Sequence, residues 1–423
     1  MSSLSISETI KSPKAFLIKK DNLINSEVKL IVKGQGVFIF ENLDNTIPCI
    51  FKFLNKDETD GLKIEFTLNN VNVNILSTLE PLIDEKNKKG LLNVKGAYYW
   101  FSLDAQNQTL YAGIGETRIK TSIYKYQYAY SKINKTFLES LEILQIEKES
   151  SINPIKLLRD PVTLKIPVLI KNIDELTMND IANGDFLPKS NLSTVGQKLY
   201  DSVSGKKFIL DDVDFPDFSK AIEHSIATKG KWCYEKLQDK STEFNKDNPT
   251  IKETYLRITM GQNNGESPGI PYVLEIWPVG HYSPIHNHAG SNAIIRVLHG
   301  SINVKLFPFL SGEIEKVISF VSRDFNKDDI TWISPTINQT HQLLNLETSK
   351  DTCITIQCYM YDEENNGHYD YFDYIDDNGK IQQYEPDSDM DFVAFKALMK
   401  EEWKEYQRKN ICKRILFGCF RKN

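Results

Sequence analysis

Histidine is scarce in this chain of 423 residues: there are seven, and none precedes residue 224. A first half without histidine is a poor place for metal chemistry, because imidazole is the commonest neutral ligand. Cysteine is equally sparse. Cys49, Cys233, Cys353, Cys358, Cys412 and Cys419 form no CxxC and no paired framework, which points to a reducing compartment rather than a disulfide scaffold. No uninterrupted apolar run approaches about 18 residues, and MSSLSISETIKSPKAF has no apolar core, so neither a membrane span nor a secretory signal is expected. Basic charge is not in excess either: 51 Lys and Arg against 57 Asp and Glu give a net charge of −6, which excludes the electrostatic footprint of a nucleic-acid binder. No internal repeat is evident. The protein is expected to be cytoplasmic and a monomer.

Two domains are expected at this length, since single cores seldom grow past roughly 250–300 residues. Residues 1–190 read as β-rich. LIVKGQGVFIF, IPCIFKFL, LKIEFTLNNVNVNIL, AYYWFSL, TLYAGIGE and IYKYQYAY are short alternating or aromatic runs separated by Asn, Asp, Gly and Lys turns, the pattern of a sandwich or jelly roll. GAYYWFSLDAQNQTLYAGIGE carries aromatics on both sides of a polar turn. It is either a platform for a sugar or lipid head or a hydrophobic hairpin of the core. PVTLKIPVLI reads as a strand and ELTMNDIANGDF as a short helix. PKSNLSTVGQKLYDSVSGKK, rich in Ser, Gly and Lys, supplies the expected linker at 191–208.

The second half is organised around GHYSPIHNHAGSNAIIRVLHG, residues 280–300. His286 and His288 flank one residue, so on a strand both imidazoles face the same side and can serve one metal. His341 follows in a second alternating run. Gly280, Gly300, Pro335 and Asn345 frame the histidines as they do in a cupin, a small β-barrel expected here over 209–388. Where cupins commonly place a glutamate after the second histidine, this chain has Ser291, Asn292 and Ala293. Three neutral ligands leave a divalent metal its full charge, and such a site favours an anionic ligand, thiolate above all.

PVGHYSPIHNHAGSNAIIRVLHGSINVKLF resembles the metal-binding segment of the cysteine dioxygenase family, iron-dependent thiol dioxygenases built on a three-histidine cupin. Tyr255-Leu256-Arg257 matches the family's Tyr-x-Arg, and Thr355-x-Gln357-x-Tyr359 stands where the family carries Ser-x-His-x-Tyr. The resemblance covers about Ile209 to Asp376 and none of the first two hundred residues. It implies Fe(II) on His286, His288 and His341, a substrate carboxylate clamped by Arg257 beside Tyr255, a catalytic Tyr359, and Thr355 and Gln357 orienting that tyrosine. It further implies oxidation of L-cysteine by O2 to cysteine sulfinic acid, a reaction of cysteine catabolism and taurine biosynthesis. A related thiol acid such as 3-mercaptopropionate, an inactive binding module, and a cupin enzyme using Mn, Ni or Zn stay open beside it. Animal members of the family cross-link a cysteine to the active-site tyrosine. Ala293 occupies the matching position here, so Tyr359 is expected unmodified.

Other residues have plainer expectations. His281, His299 and His368 read as surface or turn residues, with His281 able to reach solvent at the mouth of the site. His224 falls on a helical subdomain preceding the barrel, with helices from Asp217 to about Gly230 and over WCYEKLQDK. Arg296 reads as a surface salt bridge. From Asp389 the chain is helical and grows basic. Its end, with Cys412 and Cys419 among basic and apolar residues, is either helix packed on the barrel or a weak membrane-surface contact.

Overall fold

The computed structural model describes residues 15–18, 27–44, 46–84, 90–91, 94, 97–163, 165–261, 272–313, 317–361 and 372–419, with side chains between 18 and 411. The chain forms two compact units, Met1–Ile166 and Pro167–Asn423. Both are mainly β.

In the first unit one sheet has the strand order Ala15–Leu17, Ile152–Leu158, Gln35–Asn42, Tyr98–Asp104, Thr109–Ile114, Ser122–Gln127. The other runs Glu27–Lys29, Leu141–Ile146, Cys49–Asn55, Gly61–Phe66, Val71–Ile75. Alternation along each strand sends Phe38, Phe40, Tyr99 and Phe101 from one sheet and Phe51, Phe53 and Phe66 from the other into a shared core, where all seven are buried. Phe38 and Phe51 meet edge to face at 5.0 Å, and Phe53 stacks on Phe101 at 5.6 Å, the offset and T-shaped contacts that aromatic quadrupoles favour. The aromatic hairpin of 98–114 is buried on both faces: Tyr99 and Phe101 enter this core, while Trp100 packs on the opposite face with Val37, Tyr111 and Val162, so these three rings offer no platform to a ligand.

The second unit begins earlier than the expected boundary. Leu169–Lys171 and Phe186–Pro188 pair in parallel, with the helix Met178–Asn183 between them. The stretch expected as a linker is a helix, Thr194–Val203. Ser193 caps it by accepting from the Gly196 N–H at 3.0 Å, and Leu199, Tyr200 and Val203 are buried on one face. The Ser, Gly and Lys content that suggests a linker supplies the cap and the outer face instead.

A six-stranded sheet follows, in the order Ile330–Ile333, Asn292–His299, Cys353–Met360, Tyr272–Trp277, Leu256–Met260, Met390–Asp391. Facing it are Val321–Asn326, Ser301–Phe307 and Thr340–Leu344. Trp277, Val297 and Cys353 of the first sheet share one core with Ile302, Val304, Leu306 and Phe325 of the second. Two sheets thus face each other across one core. Among the described residues no continuous ladder closes them into a barrel.

Helices Phe218–Ala227 and Trp232–Asp239 form the expected helical subdomain, and Phe392–Cys419 packs with them through Phe395, 5.9 Å from Phe218 and 5.5 Å from Trp232. His224 lies against Tyr406 at 4.2 Å. The proposed membrane contact falls mostly on side chains beyond residue 411, outside the described residues. No described helix is long and apolar enough to cross a membrane. Cys49, Cys233, Cys353 and Cys358 are free and buried.

Candidate metal centre

The His-x-His segment is extended but is not a regular strand. It is held by single bridges: Tyr282 to Leu344, and His286 to both His341 and Tyr374. His286 and His341 exchange both backbone hydrogen bonds, each 3.0 Å. That pairing puts the two residues directly opposite each other with their side chains on one face. Ala289 (φ 49°) and Gly290 (φ 78°) then turn the chain into Asn292–His299. The three rings converge, with centroids 4.5 Å (286–341), 4.9 Å (288–341) and 5.1 Å (286–288) apart. One ring nitrogen from each lies within 4.8 Å of the others.

Hydrogen bonds set the tautomers. His286 Nδ1 faces the Pro284 carbonyl at 3.0 Å and His341 Nδ1 faces the Asn338 carbonyl at 3.1 Å. A carbonyl only accepts, so both Nδ1 atoms carry the proton and both Nε2 atoms keep a lone pair. His288 Nε2 lies 3.3 Å from His341 Nε2. Burial holds the rings neutral, pushing His286 down to about 4, His341 down to about 3 and His288 well below its usual value. Three converging neutral imidazoles with no carboxylate among them fit a divalent transition metal.

Beside the histidines lies a polar row across the sheet. Arg257 stands opposite Glu275, and Glu275 opposite Thr355. Directly opposite residues share a face, so these three side chains point the same way. Gln357 and Tyr359 follow Thr355 at two-residue steps on that face. The Tyr359 hydroxyl donates to Gln357 Oε1, and Gln357 Nε2 donates to Glu275 Oε2 and, at 3.2 Å, to Thr355 Oγ1. Burial pushes the Tyr359 phenol far up, so it stays protonated as a donor. Arg257 is buried, with Nη1 3.7 Å from Glu275 Oε1. Its Nε and Nη1 have no hydrogen-bond partner among the described residues. Burial opposes its charge, while the Glu275 carboxylate on the neighbouring strand acts in the other direction, and the balance lies upward. Glu275 is pushed up by burial, with Arg257 pulling the other way. Tyr255 stacks on Trp277 at 4.3 Å.

A cavity of ≈ 50 Å³ lies here, lined by His286, His288, His341, Glu275, Thr355 and Gln357 together with Tyr255, Trp277 and apolar residues such as Ile295, Val297 and Leu343. Water needs roughly 10–15 Å³ on this measure, so the space suits a molecule of a few heavy atoms. Six of the eight residues singled out from the sequence line this cavity; Arg257 and Tyr359 are not in its lining and stand next to it, opposite Glu275 and bonded to Gln357. Ala293 stands directly opposite Tyr359. Cys358 points away, its Sγ 3.4 Å from the Leu199 carbonyl.

Several expectations change. Arg296 is buried rather than a surface residue; it donates to the carbonyls of Val203 at 2.9 Å and Gly205 at 3.1 Å and pairs with Asp328 at 2.8 Å. It anchors the end of the Thr194–Val203 helix to the sheet. His281 does not reach solvent: it is buried, with Nδ1 2.9 Å from the Thr254 carbonyl. His299 is half-buried beside Glu223 at 3.5 Å. His368 lies outside the described residues. Glu275 was not singled out from the sequence. The signal was there, because a charged side chain in a strand covered on both faces needs a partner, and Arg257 lies one antiparallel step away.

No family model matches the chain. Among solved structures, the cupin domain of an XRE family transcriptional regulator from Enterobacter cloacae is 15% identical over 26% of this chain and 98% of its own, with a TM-score of 0.20. A cupin superfamily protein from Desulfitobacterium hafniense is 11% identical over 27% of this chain and 84% of its own, TM-score 0.19. Oxalate oxidase in complex with glycolate is 16% identical over 28% of this chain and 55% of its own, TM-score 0.21. Likenesses at this level carry no inference about chemistry.

Proposed function

We propose that the second unit is an iron-dependent dioxygenase that converts the thiol of L-cysteine to the sulfinic acid. The observation that carries this reading is the convergence of His286, His288 and His341, with no carboxylate in the cluster itself, on a small cavity also lined by Glu275, Thr355 and Gln357. Behind that lining, Arg257 stands opposite Glu275 and Tyr359 is bonded to Gln357. The three histidines would hold Fe(II), which when bound supplies a cationic, redox-active centre suited to a thiolate and dioxygen.

The other residues have roles that follow from their atoms. Arg257 has two buried donors without a partner, a fork suited to a carboxylate. Tyr359 keeps its proton and is oriented by Gln357, which is itself held by Glu275 and Thr355. The apolar wall of Ile295, Val297 and Leu343 excludes water and strengthens each charge interaction inside. Holding both reactants in one small cavity replaces a three-body encounter by an intramolecular step. The reaction balances without a further reductant: both oxygen atoms end on sulfur, and sulfur supplies all the electrons that dioxygen takes.

Protein purified without oxygen and analysed for metals should carry iron. Oxygen uptake with a panel of small thiols should be fastest with L-cysteine, and labelled dioxygen should place both its atoms in the sulfinic acid. An iron-loaded protein that consumes no oxygen with any thiol overturns the reading.

A further inference from the structure

We infer that Glu275 determines the substrate of this site by accepting a hydrogen bond from the substrate's amino group, so that the preferred class is amino-bearing thiol acids rather than plain mercapto acids. The inference rests on the reaction proposed above and goes beyond it.

Three observations carry it. Glu275 lines the cavity together with the three histidines, whereas nothing in the Tyr-x-Arg or Thr-x-Gln-x-Tyr motifs requires an acid at this place. The Arg257–Glu275 pair is not closed on itself. Their nearest charged atoms are 3.7 Å apart, beyond the 2.7–3.2 Å of a hydrogen bond, and Arg257 Nε and Nη1 lack partners among the described residues. The Glu275 carboxylate is held in place by Gln357 Nε2 on Oε2, so its orientation does not depend on Arg257.

A positive and a negative group set side by side but not bonded to each other match a molecule that carries both an acceptor and a donor. Arg257 takes the carboxylate and Glu275 the amino nitrogen. A mercapto acid without an amino group satisfies Arg257 and leaves Glu275 facing an apolar part of the ligand, which costs a buried acceptor its partner. A site built to bond an N–H rejects the analogue that lacks it far more strongly than a merely apolar pocket does.

The test compares L-cysteine with 3-mercaptopropionate on the iron-loaded protein. Without oxygen, L-cysteine should raise the melting temperature clearly more than 3-mercaptopropionate does at equal concentration. With oxygen, kcat/KM should favour L-cysteine by about 100-fold or more. Glu275→Gln keeps the shape but loses the charge, and should narrow that ratio by about tenfold. Glu275→Met, which cannot accept, should bring it to near unity, chiefly by loss on L-cysteine. Circular dichroism establishes that each variant is folded. Should either fail to fold, the wild-type melting shifts decide, and equal shifts for the two thiols overturn the inference. A ratio unchanged in the folded variants also overturns it while leaving the dioxygenase reading intact. Absence of turnover with every thiol removes that reading alone, because the anaerobic melting shifts still report on Glu275.

Discussion

The two units make opposite use of the space between their sheets. The first fills it with seven aromatic side chains in stacked and edge contacts. The second places there an arginine, a glutamate, a glutamine, a tyrosine and three histidines. Apolar burial stabilises a sandwich by about 25 cal/mol per Å², and buried polar atoms give that up unless they are bonded. The second unit meets this condition only in part. Its side-chain network ties Tyr359, Gln357, Glu275 and Thr355 together, yet Arg257 Nε and Nη1 and His288 Nδ1 have no partner among the described residues. The lesson is that ring-on-ring packing fills the first interior, while the second keeps unpartnered donors beside a cavity, which separates a place for stability from a place for a ligand.

The sharpest way to break this contrast is His341→Ala. Three ligands leave no redundancy, so the variant should lose its metal and all turnover, while circular dichroism and the unfolding transition stay near wild type. Metal analysis showing wild-type iron content would sink the ligand assignment. Phe51→Ala should do the reverse. Phe51 is fully buried against Phe38, Phe40 and Phe53, and truncation of such a ring costs about 3–5 kcal/mol. Urea unfolding should show that loss with metal content unchanged. A cost below about 1 kcal/mol would mean the ring is not part of a close-packed core.

The smallest effect concerns a histidine outside the three-histidine cluster. His299 is raised by its hydrogen bond to Glu223, with burial opposing. A raised folded-state value means the folded form binds the proton more tightly, so the pair's contribution is complete below the unfolded value of about 6.5 and is lost as pH rises through the folded one. His299→Gln should therefore cost less than about 1 kcal/mol at about pH 6 and almost nothing at about pH 9. Equal urea midpoint shifts at both pH values would show that the pair contributes nothing.

The three-histidine cluster was legible because spacing and frame lie within short stretches. Most strands of the first unit were legible too, from alternation alone. Leu141–Ile146 and Ile152–Leu158, which complete its sheets, were not, since their pairing partners lie about a hundred residues away. The Thr194–Val203 helix hid behind a composition shared by linkers and capped surface helices. Glu275 was missed for a different reason: its meaning is a cross-strand register with Arg257, and register is a property of the folded sheet, not of either strand.

The buried cysteines take on a second meaning in a protein proposed to oxidise thiols. Burial pushes Cys49, Cys233 and Cys358 up to about 12, and Cys353 upward as well. At neutral pH none of these four is a thiolate, the form that oxidants attack. Cys358 sits next to Tyr359 in sequence but turns its sulfur away, toward Leu199. Among the described residues, these four thiols are thus poor targets for the chemistry proposed a few residues away.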